Sequence, residues 1–423
     1  MAEDCIREAD PELYEILLHE EARQRETLDM IASESIQDEV SLALSGSAFC
    51  SKTAVGNVGK QRLGGSQYAD ALEKLAAERA CQVFGAEHAN MLSYSGTVAN
   101  LCVYDALLSP HDSVLALDPE MGSHASHGRK EHISARFYDF HHFGVDPETQ
   151  GFDFDALERH LETDAPRLVV IGSSSYPRAF DYERIARTVH AHGARLMVDM
   201  AHFSGLVAAG LAENPVNYAD VVTASATKTM CGCHTGYILC REELAERIDR
   251  GVYPGVVASM HLQTVAAAAW AMKKSQTAEF RETMRKTLEN ARALSGFLQE
   301  RGFGMLTGGT DCHMFVADVR PLGRNAVELT DTLEQIGISV NTKGIPWDKS
   351  KIPNGIRAGC TVLTQRGLGR ADMETIADLF ADCVNPTENT LTRARETVAR
   401  LCEKARNPHQ RLPCAKGAVS EAD

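Results

Sequence analysis

The chain has 423 residues, 44% of them hydrophobic, and a formal net charge of −15. That acidic balance excludes nucleic acid and anionic membrane as partners, because like charges repel. No charged segment leads into a leader-like apolar stretch and no apolar run is long enough to span a bilayer, so the chain reads as soluble and cytoplasmic.

In chain order, residues 10–30 carry the spacing of an amphipathic helix. Together with the rest of residues 1–45 they read as an N-terminal helical arm that packs on a partner subunit. From about 45 to 255, apolar runs such as Arg167–Gly172 and Arg195–Asp199 alternate with helical patterns. That alternation predicts an α/β fold, a mostly parallel sheet with helices on both faces, in a large domain over residues 46–275. Thr264–Lys273 and Arg281–Arg301 read as helices, the second leading into a smaller C-terminal α/β domain over residues 276–405. Its strands include Cys312–Asp318 and Gly337–Asn341, and helices at Met373–Cys383 and Thr390–Ala405 close it. Residues 406–423, polar and small, read as a flexible tail. The twelve cysteines are scattered, many inside apolar patterns such as Leu239-Cys240, where free thiols pack as small hydrophobes.

The chemistry concentrates in two of these runs. Leu196-Met-Val-Asp-Met-Ala-His202 ends an apolar run in Asp199, and Asp220-Val-Val-Thr-Ala-Ser-Ala-Thr-Lys-Thr229 ends another in small hydroxylated residues and Lys228. Pyridoxal phosphate (PLP) chemistry needs such a pair: a lysine for the Schiff base and an aspartate to keep the ring nitrogen protonated. Strand ends are also where open α/β sheets place ligands. Taken singly, Asp199 is equally a helix cap and Lys228 a solvated surface group. Ser95, Gly96 and Thr97, in Met91-Leu-Ser-Tyr-Ser-Gly-Thr-Val-Ala-Asn100, stand at a helix N-terminus that suits a phosphate or is an ordinary cap. Gly122-Ser-His-Ala-Ser-His-Gly128 offers a histidine to stack on the ring, although two such histidines are equally loop residues. No third ligand stands at a convincing spacing, so no metal is expected. Arg357, in Gly355-Ile-Arg-Ala-Gly359, suits bidentate capture of an amino-acid carboxylate, or is a surface turn residue. Cys231 and Cys233 stand close enough behind Lys228 to line a site. The order of these signals along the chain is what gives them weight.

That order resembles the fold-type I PLP-dependent transferases, and local motifs resemble serine hydroxymethyltransferase in particular. They are Leu28-Asp-Met-Ile-Ala-Ser-Glu34, Val83-Phe-Gly-Ala-Glu-His-Ala-Asn90, Ser174-Ser-Tyr-Pro-Arg178 and above all Val198-Asp-Met-Ala-His-Phe-Ser-Gly-Leu-Val-Ala-Ala-Gly210. The resemblance runs from about residue 10 to about 385. It implies that the large domain binds PLP through Lys228, that Asp199 pairs with the ring nitrogen and that His124 stacks on the ring. It also implies Ser95 and Gly96 in the phosphate cup, Ser174 and His202 near the phenolic oxygen, and Ser33 and Arg357 on the substrate carboxylate. A homodimer or dimer of dimers follows from the same resemblance, because the family completes each site with a neighbour's residues.

The departures bear on function. Where the family reads Lys-Tyr-Ala-Glu-Gly, this chain reads Lys52-Thr-Ala-Val-Gly56, so the glutamate that handles protons near the folate is Val55. Thr53 stands for a tyrosine that reaches a neighbour's phosphate, and Arg62 and Leu63 stand for a pair of tyrosines. Thr227 replaces the histidine before the lysine, and Gly232-Cys-His-Thr-Gly236 replaces Gly-Pro-Arg-Gly-Gly. Ala258 and Ser259 replace paired glycines, and Lys343 replaces a folate-contacting asparagine. Asp348–Asn354 is a shortened loop. Valine neither donates nor accepts a proton. The expectation is therefore a folate-independent aldolase or transaldolase acting on glycine-, serine- or threonine-like amino acids, with an aldehyde acceptor. Ordinary tetrahydrofolate-dependent hydroxymethyl transfer is the alternative, and an inactive PLP-binding partner subunit a third.

Overall fold

A computed structural model describes residues 2–406; the expected tail from 407 onward lies outside the described residues. A seven-stranded sheet comprises β1 (His88–Asn90), β2 (Ser113–Leu117), β3 (Asp139–Phe143), β4 (Leu168–Gly172), β5 (Arg195–Asp199), β6 (Val221–Ser225) and β7 (Gly236–Cys240). Their spatial order is β1-β7-β6-β5-β4-β2-β3. All neighbours pair parallel except β7, which runs antiparallel to both β1 and β6. Strands β4, β6 and β7 are buried at every position, which is why they read as unbroken apolar runs rather than as alternation. The helices that cover them start on side-chain caps: Asp153 accepts from Ala156 N, Asp181 from Arg184 N and Thr277 from Phe280 N. Each cap satisfies an amide that has no partner inside its helix.

A second, antiparallel sheet orders β8 (Gly304–Met305), β9 (Met314–Asp318), β10 (Asn341–Lys343) and β11 (Gly355–Gly359) as β10-β11-β9-β8. The strand expected at Gly337–Asn341 is two pieces here. Ile338–Ser339 pairs parallel with Leu28–Asp29, and only from Asn341 does the chain join the second sheet. The helix expected over 10–30 likewise stops at Glu26, because Leu28 and Met30 are drawn into the smaller core. Buried Arg366 fixes this junction by donating to the carbonyls of Thr27 (2.6 Å), Arg25 (2.8 Å) and Arg406 (3.2 Å). The 23-residue helix Ala278–Glu300 joins the two cores: Phe280 and Met284 pack in the larger, Leu294 and Leu298 in the smaller. No helix among the described residues is long and apolar enough to cross a membrane.

Candidate active site

The site forms where β2, β4, β5 and β6 end and the small sheet folds over them. Lys228 follows β6 by three residues, in a short turn whose backbone is left-handed at Lys228 (φ 49°) and Cys231 (φ 54°). That conformation costs a non-glycine residue about 1 kcal/mol or more, and the surroundings impose it. Thr229 Oγ1 donates to His202 O (2.9 Å) and accepts from Gly205 N (3.0 Å). A Cβ at Gly205 would stand 2.0 Å from Thr229 O, so only glycine lets the chain after β5 press against the lysine turn. Among the described residues, Lys228 Nζ makes no hydrogen bond or ion pair. Burial depresses its amine to about 8, with Asp199 opposing and Arg357 assisting.

Asp199 is the hub of a buried network. Its Oδ1 accepts from Ala201 N at 3.0 Å, and its Oδ2 accepts from Asn100 Nδ2 at 2.8 Å and His127 Nε2 at 3.1 Å. Burial alone would raise its pKa. The His127 hydrogen bond, assisted by the nearby Lys228 charge, outweighs burial and holds the carboxylate ionised, well below its usual range. Asn100 is held at both ends: its Oδ1 accepts from Thr223 Oγ1 (2.6 Å) and its amide also donates to Ser126 Oγ (2.8 Å). Ser126 in turn donates through N–H (3.2 Å) and hydroxyl (2.7 Å) to His124 Nδ1. Those donors assign the His124 proton to Nε2. Burial lowers its pKa to about 4, so the ring is neutral. The two histidines of the Gly122–Gly128 loop thus have separate places, His127 locked on Asp199 and His124 nearer the surface.

Ser95 caps the helix Gly96–Leu107, its Oγ accepting from Val98 N at 3.2 Å. The Gly96 and Thr97 amides head that helix with no acceptor among the described residues, as the first amides of a helix do. Beside them, Ser225 Oγ and Thr227 Oγ1 are 2.6 Å apart. A Cβ on Gly236 would stand 2.2 Å from Ser95 O, so β7 reaches the cap only as glycine. Ser174 N and Oγ donate to Gly122 O and Ser123 O, both at 2.9 Å. Its carbonyl accepts from Arg357 Nη1 at 2.7 Å, while Arg357 Nε donates to Asn341 Oδ1 at 3.0 Å. The strand carrying Arg357 also holds the Ser33 segment: Gly359 N donates to Met30 O, and His313 Nε2 donates to Ala32 O at 2.9 Å. His313 stacks on His202 with ring centroids 5.6 Å apart. Burial first, then the nearby cations, keep His202 neutral.

All ten residues singled out from the sequence therefore lie on elements that meet in one place. Asn100, Ser126, His127, Thr223, Ser225, Asn341 and His313 were not singled out. Burial raises the thiols of Cys231 and Cys233 to about 11 and about 12, so both are protonated near neutral pH, and Cys233 donates to Thr264 O. Of the positions read from the sequence as departures, Val55 is half-buried, Arg62 stands 5.7 Å from the ring of Tyr253, Ser259 O accepts from Tyr94 Oη, and Lys343 Nζ donates to Pro119 O.

A mostly parallel sheet with an ionised aspartate and an uncommitted lysine at adjacent strand ends defines a fold-type I PLP enzyme. The family model for serine hydroxymethyltransferase matches residues 6–380, and the chain belongs to that family, whose enzymes use pyridoxal phosphate.

The residues present fit the cofactor. Asp199 is ionised, with one oxygen held only by a main-chain amide; Lys228 is uncommitted; and two helix amides stand free beside a pair of hydroxyls. A cationic ring nitrogen, an aldehyde and a phosphate are the groups such donors and acceptors suit.

Proposed function

We propose that this chain is a folate-independent aldol enzyme that moves the glycyl unit of a β-hydroxy amino acid, threonine or serine, onto another aldehyde. Lys228 would carry the cofactor, Asp199 would pair with its ring nitrogen and His124 would cover one face. Ser95, Gly96, Thr97, Ser225 and Thr227 would hold the phosphate. PLP, when bound, supplies an electron sink that eases scission and formation of bonds at the substrate Cα. Ser174 and His202 would lie by its phenolic oxygen, and Ser33 and Arg357 would hold the substrate carboxylate. Arg357 suits that task because its Nε and Nη1 are fixed by Asn341 and Ser174, which aligns the rest of the guanidinium in advance. Proton transfers fall to the His202 imidazole, kept neutral by burial, and to the Lys228 amine, which burial brings down to about 8 so that it can give up and take back a proton near neutral pH.

The reaction balances without a co-reactant. The Cα–Cβ bond of the donor breaks and its hydroxyl proton leaves as the first aldehyde departs. A Cα–C bond forms to the second aldehyde, whose oxygen takes a proton. The observation that carries the folate-independent reading is Val55, which has no proton to give or take at the position where the family's motif places a glutamate.

The helix Pro11–Glu26 has no buried residue and exposes Leu13, Ile16 and Leu18, which supports the arm of a homodimer. The described cysteines are all free, which supports a reducing, cytoplasmic compartment.

The test titrates PLP-loaded protein with glycine, L-serine and L-threonine, with and without tetrahydrofolate. Absorbance and new amino-acid products are followed after adding aldehydes. A long-wavelength band that ignores tetrahydrofolate, with a new β-hydroxy amino acid formed from threonine, is expected. Serine turnover that requires tetrahydrofolate would sink the proposal and restore ordinary hydroxymethyl transfer.

A further inference from the structure

Three polar residues share one face of the small sheet. Asn341 is the direct partner of Arg357 across β10 and β11, and Lys343, two residues on, projects to the same side. That face lies over the large domain. Arg357 Nη1 donates to Ser174 O after β4, and Lys343 Nζ donates to Pro119 O (3.1 Å) in the loop after β2 that leads to His124. Both cations are half-buried, and among the described residues neither has an ion pair. The acids that act on Lys343, Glu120 and Asp118, do so from beyond ion-pair distance, and Asp118 Oδ1 is engaged with Glu120 N (2.7 Å). Burial lowers both pKa values, and for Lys343 the charges of Arg357 and Arg129 lower it further against the weaker pull of Glu120 and Asp118.

One cation suffices for the carboxylate of an amino acid. A second ammonium, half-buried and held by a single carbonyl, is costly unless an anion completes it. Resting on the folate-independent reading above, we infer that Lys343 is a specificity residue for an acceptor aldehyde bearing an anionic group, a carboxylate or a phosphate, at the end remote from the aldehyde carbon. The shared chemistry is a compact anion, and the two sources are separated by the probes.

The test is binding to the PLP-loaded full chain saturated with glycine, so that Arg357 is already occupied. Isothermal titration calorimetry compares benzoate with benzamide, and phenyl phosphate with phenol, in the parent, Lys343→Met and Lys343→Arg. The parent should bind one anion about tenfold more tightly than its neutral partner, the scale of one charge-assisted contact. That ratio should fall to about one in Lys343→Met and recover in Lys343→Arg. Whichever anion shows the gap identifies the acceptor class. A ratio near one in the parent, or a ratio unchanged in Lys343→Met, overturns the inference. Because no turnover is needed, a persistent gap in a protein that transfers nothing to aldehydes would instead count against the parent reading alone.

Discussion

Replacing Asn100 with alanine tests whether the Asp199 network holds the site together. The side chain is wholly buried and makes three hydrogen bonds: one to the ionised Asp199 (2.8 Å), one to Ser126 (2.8 Å) and one from Thr223 (2.6 Å). A hydrogen bond to a charge is worth about 1.5–3 kcal/mol, and a stranded buried hydroxyl costs about 1–3 kcal/mol. Ser126 keeps His124 as a partner, so Thr223 is the group left stranded. The sum is about 3 kcal/mol, less whatever a water entering the gap restores. The assay is denaturant unfolding of the cofactor-free full chain, read as the shift between parent and variant, together with PLP affinity by titration. Affinity should weaken about tenfold or more, because Asp199 loses the donor that orients its Oδ2. Asn100→Asp is the sharper companion. It keeps an acceptor for Thr223 but sets a second carboxyl against Asp199, which pushes one of the two pKa values up, so PLP should bind worse than in Asn100→Ala. A change in stability under about 0.5 kcal/mol, the range of an ordinary surface substitution, with PLP affinity intact, would refute the reasoning.

Two further outcomes depend on pH. The reactive form of Lys228 is the neutral amine, so PLP capture by the cofactor-free protein should rise with pH and level off above about 8. Removing the opposing charge in Asp199→Asn should move the inflection lower, and an inflection near the ordinary 10.5 would show that the amine is not perturbed. Glu73 is buried, and burial, followed by the charge of Asp70, raises its carboxyl from 4.5 to about 8 against the Gln61 hydrogen bond. Between those values the folded protein holds a proton that the unfolded chain has released, so this group's contribution falls as pH rises through that window, by at most about 1.4 kcal/mol per pH unit. In Glu73→Gln, which keeps the acceptor for Gln61, stability relative to the parent should climb from pH 5 to pH 8; a flat difference between the two would contradict the assignment.

How much of this was legible in the sequence follows from the range over which each residue acts. β5 and β6 are covered on both faces, so their burial is written locally as unbroken apolar runs, and Asp199 and Lys228 stand out because they end those runs. Leu28, Met30 and Ile338 are equally apolar, but their pairing joins segments some three hundred positions apart, and no local period records it. The Asp199 network is less visible still. Asn100, Ser126, His127 and Thr223 stand inside stretches the sequence marks, but nothing local says which carboxylate they serve, and only the sheet order brings them to one. Their mutual dependence also bears on where this site tolerates change. Removing one member strands another at about 1–3 kcal/mol, so the network resists change, whereas Val55 is only half-buried and Arg62 is exposed, so substitution there costs less. On the folate-independent reading, the 52–65 loop is compatible with relaxed selection alone. Lys343 differs: a half-buried ammonium with one carbonyl partner carries a desolvation penalty that drift does not favour. On that reading it is therefore the position that argues for a new ligand rather than only for a lost one.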